Sequence, residues 1–194
     1  MKLTKHFVSV AAAVCSLAAV AADLRVAAYP QSFDAGGWGL DVQFMDTVGS
    51  PYLIAHGRGI RVVDATARVL VPKSGKWNVW VRSRKWIDGA GRFSVRVGGK
   101  DTGHVFGASQ SEWAWECGGK VELAAGETEV RLVDLDGFDG RMAGVVLSMG
   151  DDAPEGPLSP ANAKVDETVE ADFVVVGGGL PGTCAAVAFH CFRH

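Results

Sequence analysis

The stretch Arg92-Phe93-Ser94-Val95-Arg96-Val97-Gly98-Gly99 decides the fold. Polar and apolar side chains alternate through it without error, the period of a strand with one buried face. The two glycines that follow read as a tight hairpin turn. Upstream, Trp77, Val79 and Val81 share one face of a second strand, and Asn78, Trp80 and Arg82 share the other. Between residues 64 and 72 runs another strand, Ala-Thr-Ala-Arg-Val-Leu-Val, stopped by Pro72. Downstream, residues 120–123 and 129–133 alternate again around Ala124-Ala125-Gly126-Glu127, and Val145-Val146-Leu147 closes the series. No segment between residues 24 and 149 keeps a helical period over ten residues. Short strands with glycine-rich turns predict a mainly β protein, an antiparallel β-sandwich of jelly-roll type.

The rest of the chain falls around that domain. Lys2 and Lys5 precede an apolar run over residues 7–20, too short for a bilayer, which needs about 20 residues. Small residues follow at Ala19, Ala21 and Ala22, so residues 1–22 read as a signal peptide cut after Ala21 or Ala22. The expectation is an exported protein with no membrane segment beyond the signal. A net charge of −3 without any basic block excludes a nucleic-acid partner. Cys117, Cys184 and Cys191, the cysteines that remain after export, show no ligand spacing and predict neither metal site nor disulfide framework.

The sandwich holds all six tryptophans, Trp38, Trp77, Trp80, Trp86, Trp113 and Trp115. Packing is the default role of these rings, and the alternative is a glycan partner: indole rings left exposed would stack on the apolar face of a pyranose, with Arg82, Arg84 and Asp88 placed to hold hydroxyls. Large aromatics also fill cores, and Trp77 shares its face with Val79 and Val81, which places it inside. His56 and His104 lie in glycine-flanked loops, and Asp134, Asp136 and Asp139 crowd one turn. Their spacing does not fit the twelve-residue calcium loop, and a solvated turn is expected there. No catalytic residue is assigned.

Residues 151–170 carry Pro154, Pro157 and Pro160 and read as an interdomain linker. The apolar run over residues 173–176 then leads into Gly177-Gly178-Gly179-Leu180-Pro181-Gly182 and an alanine-rich segment. A strand, a G-x-G-x-x-G turn and a helix make a pyrophosphate cradle: one glycine for the turn, one for close backbone approach, one for helix packing. The acidic residue for a ribose lies about 20 residues beyond such glycines. The sequence stops short of it, so residues 171–194 read as a nucleotide-binding βα unit begun and broken off. Alone, its strand is an aggregation-prone edge.

Two further patterns carry a resemblance. Residues 74–82 and 123–132 are similar to strands of galactose-binding-like and carbohydrate-binding sandwich modules. Residues 48–57 and 134–141 resemble the amino-terminal accessory domain of secreted bacterial FAD-dependent oxidoreductases of the heterodisulfide-reductase-subunit-A-like group. The similarity covers residues 33–148 and departs at the Met142-Ala143 turn, where those relatives more often carry Cys-Asp. It implies an incomplete Rossmann-type FAD domain behind the sandwich, with Gly177, Gly178, Gly179 and Gly182 on the cofactor. It also implies an inactive fragment that binds FAD only weakly. The alternative reading is a secreted β-sandwich carbohydrate-binding module without enzymatic activity.

Overall fold

Alternation at period two along the middle of the chain becomes ten antiparallel strands in two sheets. The computed structural model describes residues 24–158 together with Cys184, Val187 and Ala188. One unit ends at Ser159 and a second begins at Pro160. In the second, the three described residues are helical. Its expected strand and the glycine turn at Gly177, Gly178, Gly179 and Gly182 lie outside the described residues, as do the expected signal peptide and most of the linker.

The larger sheet is built on β10 (Gly140–Ser148), which pairs along one edge with β5 (Gly75–Ser83). Its other edge is shared in turn by β3 (Tyr52–Ala55) and β1 (Arg25–Ala28). Outside these lie β2 (Trp38–Asp41) on β3 and β8 (Ala114–Leu123) on β5. The smaller sheet runs β4 (Ala65–Val71), β9 (Gly126–Asp134), β6 (Phe93–Val97) and β7 (Lys100–Asp101). The β6–β7 hairpin turns on Gly98 and Gly99, both at positive φ, the conformation a two-residue loop demands. Ala124-Ala125 carries the chain from β8 in one sheet to β9 in the other.

The sandwich core follows the parity read from sequence. Trp77, Val79 and Val81 of β5 are completely buried against Phe93, Val95 and Val97 of β6. Trp38 closes one side with its ring edge-on to Phe93, centroids 5.6 Å apart. Val145 and Leu147 lie in the same core, but β10 is central rather than terminal in its sheet, and all nine of its residues are buried. Met142-Ala143, expected as a turn, belongs to this strand. Met142 enters the main core, and the register shifts between it and Gly144, which turns Ala143 into a second cluster on the opposite face.

That second cluster positions the candidate site. Val48, Tyr52, Ile54 and Ala143 form it, with Phe44 and Trp113 packed against them. A one-turn helix, α1 (Met45–Val48), ends on Gly49 in the left-handed region and lies over the outer face of the larger sheet. Arg82 holds it there: its Nη1 donates to the carbonyl of Val48 at 2.5 Å.

Candidate functional site on the outer face of the larger sheet

Strand alternation sends every second side chain away from the core, and on β5, β8 and β10 those positions carry Trp80, Arg82, Trp115, Arg141 and Ala143. Trp86, from the segment after β5, and Trp113, just before β8, fold onto the same face. Four of the six tryptophans therefore gather outside the larger sheet, and only Trp38 and Trp77 go into the core.

One half of the face is built on a buried cation. Arg141 is only 5% exposed, and its guanidinium carbon lies 3.7 Å from the centroid of the Trp86 ring. Phe44 meets the same indole with centroids 5.0 Å apart, and Arg84 approaches it at 4.9 Å. Trp86 keeps 36% of its surface exposed, so the buried guanidinium lies between ring and sheet. Burial pushes Arg141 below the usual arginine range, against the opposing pull of Asp139, Tyr52 and Asp41. It stays cationic at neutral pH. Among the described residues its one acceptor is Asp139 Oδ1, at 3.4 Å from Nη2.

Beside it, the Tyr52 hydroxyl donates to Asp41 Oδ2 at 2.6 Å, and the Tyr52 ring packs on Trp113 with centroids 5.3 Å apart. Burial and the neighbouring carboxylate together push the Tyr52 hydroxyl far above the ordinary phenol range. Burial also pushes the Asp41 carboxyl up. The hydrogen bonds from Tyr52 and from the backbone of Gln43 and Val42 outweigh it and leave Asp41 below the usual range.

Among the described residues, several buried donors of this face have no acceptor: Arg141 Nε and Nη1, Trp80 Nε1 and Trp113 Nε1. Buried polar groups are normally paired, because an unpaired donor costs about 1–3 kcal/mol. These donors lie buried beneath the rings, so what the face offers a surface ligand is the partly exposed indole rings, flat surfaces on which the C–H face of a sugar stacks.

Other expected residues go elsewhere. Arg82 is 7% exposed and engaged with Val48, so it supports the face from below instead of reaching hydroxyls. Asp88 is exposed and pairs with Lys85 at 2.9 Å. The aspartate turn is not solvated. Asp134 is 1% exposed and accepts from the backbone of Val62, Asp136 and Gly137, while Asp136 pairs with Arg92 and Asp139 with Arg141. Three carboxylates facing three different partners do not converge on a cation, and no metal-holding cluster occurs among the described residues. His56 packs edge-on to Phe138 and His104 to Phe106, in separate loops. Gly177, Gly178, Gly179 and Gly182 lie outside the described residues. Sequence reasoning missed Arg141 and Tyr52. The signal was there in part, since an arginine inside an otherwise apolar strand has to be placed by something it contacts.

No family model matches the sequence, and no curated protein is significantly similar to it. The solved structures are informative. The sandwich is similar to a family 35 carbohydrate-binding module from Clostridium thermocellum, with a TM-score of 0.53 at 15% identity over 64% of this chain and 97% of that one. A GH26–CBM35 β-(1,4)-mannanase from Podospora anserina gives 0.53 at 16% identity, over 70% of this chain and 29% of that one. The CBM35 of Paenibacillus barcinonensis gives 0.50 at 16%, covering 62% and 95%. At such identities the likeness establishes the fold, a β-sandwich of the family 35 carbohydrate-binding-module type. It carries no support for a flavin. No helix of the described residues is long and apolar enough to cross a membrane.

Proposed function

We propose that the sandwich is a non-catalytic carbohydrate-binding module that takes a glycan on the outer face of its larger sheet. The observation that carries this reading is the gathering there of the partly exposed rings of Trp80, Trp86, Trp113 and Trp115. The aromatic rings supply stacking surface, so binding needs no reacting group. Neighbours described as carbohydrate-binding modules support the same reading. Affinity electrophoresis through gels containing soluble mannan, xylan, galactan or glucan tests it. Retardation by at least one polysaccharide is expected, with Trp86→Ala losing it while circular dichroism stays native. Migration unchanged by every polysaccharide ends the reading.

The glycine spacing at Gly177, Gly179 and Gly182, behind the apolar run over residues 173–176, favours a second reading for the carboxyl-terminal unit. It opens an FAD-binding domain, and the sandwich is then the accessory domain of an exported oxidoreductase. Bound flavin would supply hydride acceptance, and the glycine amides would hold its pyrophosphate. A colourless protein, transparent at flavin wavelengths even when incubated with FAD, opposes a working cofactor site in this chain. Export by residues 1–22 is tested by amino-terminal sequencing of the secreted protein, which should begin at Ala22 or Asp23.

A further inference from the structure

The segment after β10 turns back over the outer face. Asn78 Nδ2 donates to the Gly150 carbonyl at 2.7 Å, and Lys120 pairs with Asp151 at 2.7 Å. Further along, Trp115 Nε1 donates to the Gly156 carbonyl at 2.9 Å. Pro157, itself exposed, then lies over Gly49, and the half-buried Leu158 lies over Gly144. A Cβ on Gly49 would stand 2.7 Å from Pro157 Cγ, and one on Gly144 would stand 2.8 Å from Leu158 Cδ2 and 3.5 Å from the Trp115 ring. Glycine inside a strand weakens it and marks a place where something approaches closely. At Gly144, inside β10, what approaches is the chain's own Leu158.

We propose that residues 150–158 are an intramolecular strap that occupies the Trp115 half of the outer face and keeps a glycan off it, leaving the Trp86 half open. The proposal rests on the glycan reading above and specifies how that face is regulated. The strap suits the task because it is held weakly. It has no strand pairing, Pro154 and Pro157 prevent any, and its ion pair with Lys120 is exposed. Segments held by few buried contacts open at a small fraction of the global unfolding free energy. When the open form is a minor fraction, the apparent affinity of the covered half falls by that fraction. Release therefore extends the binding platform from Trp86 to Trp115 and Trp80.

The test uses the full chain with Leu158→Asp, which puts a charge over Gly144, and Leu158→Ala as the milder variant. Strap release is read independently of any sugar from the indole N–H resonance of Trp115, which loses its bond to the Gly156 carbonyl. The expected result is a shifted Trp115 resonance in both variants and tighter retention on polysaccharide gels. The order is Leu158→Asp, then Leu158→Ala, then wild type, with a gain on the order of tenfold for the first. Adding Trp115→Ala to Leu158→Asp should remove the gain. A shifted resonance with unchanged or weaker retention overturns the strap while leaving the glycan reading in place. An unshifted resonance also overturns it, since Leu158 then does not hold the segment. No retention by wild type or either variant overturns the glycan reading itself, and the strap's role with it.

Discussion

The guanidinium of Arg141 lies against the ring of Trp86, 3.7 Å from its centroid, and those two side chains are the buried and exposed parts of one structure. A cation taken out of water needs compensation. Here it receives one carboxylate oxygen at 3.4 Å and the faces of Trp86 and Phe44. The indole is thereby fixed at the surface by a charge the fold has already desolvated, which prepares it for stacking at low entropic cost.

Removing Trp86 should therefore weaken the fold as well as any binding. Trp86→Ala is expected to cost ~1–2 kcal/mol in urea denaturation, the range of a desolvated cation–π contact. Its exposed neighbour Ile87 should cost no more than ~0.5 kcal/mol as Ile87→Ala. Arg141→Met should cost ~3 kcal/mol or more, because it removes the same ring contact and leaves the buried Asp139 carboxylate without its partner. Equal losses for Trp86→Ala and Ile87→Ala would contradict the pairing.

The aspartate turn gives a separate test. Asp134 satisfies three backbone N–H groups, so Asp134→Ala should destabilise by ~3 kcal/mol or more. Gly137 sits at φ +72°, and a Cβ there would lie 2.3 Å from the Ile60 carbonyl carbon. Gly137→Ala is expected to give little folded protein. Addition of calcium should rescue neither, as thermal melts with and without the ion will show.

Asp41 carries a pH dependence with a definite sign. Its folded carboxyl lies below the unfolded value near ~3.9, so it contributes stability above that pH and loses it as pH falls through the lowered folded value. Tyr52→Phe removes the strongest bond holding it down and leaves burial pushing it up. Acid unfolding of the variant should shift to higher pH, and a carboxyl NMR titration should show Asp41 titrating higher. An unmoved Asp41 titration would mean the Tyr52 bond is not made in solution.

Parity on β5 is checked by two tryptophans three residues apart. Trp77→Ala should cost ~3–5 kcal/mol, the usual range for emptying a core aromatic. Trp80→Ala should cost well under half as much, because that ring lies on the outer face and is only partly buried. Comparable losses would place both rings in one core.

Local alternation was enough to read β4, β5, β6 and β9 and the inward face of Trp77, since a strand's period depends only on neighbouring residues. The Gly98-Gly99 turn was legible for the same reason: its backbone angles favour glycine whatever surrounds it. The short strands β1, β2 and β3 were not, because four residues carry too little pattern to separate from loop. The outer face was not legible either. Trp80, Trp86, Trp113 and Trp115 meet there because β10 pairs with β5 and β8 joins β5's other edge, which brings together segments more than 20 residues apart. Arg141 and Gly144 acquire meaning only through Trp86 and Leu158, distant partners that side-chain period cannot name. The sequence by itself determined strands, turns and which side chains face inward. Tertiary pairing decided which outward side chains share a surface, because that depends on strand order, a property of long-range hydrogen bonding and not of any local stretch.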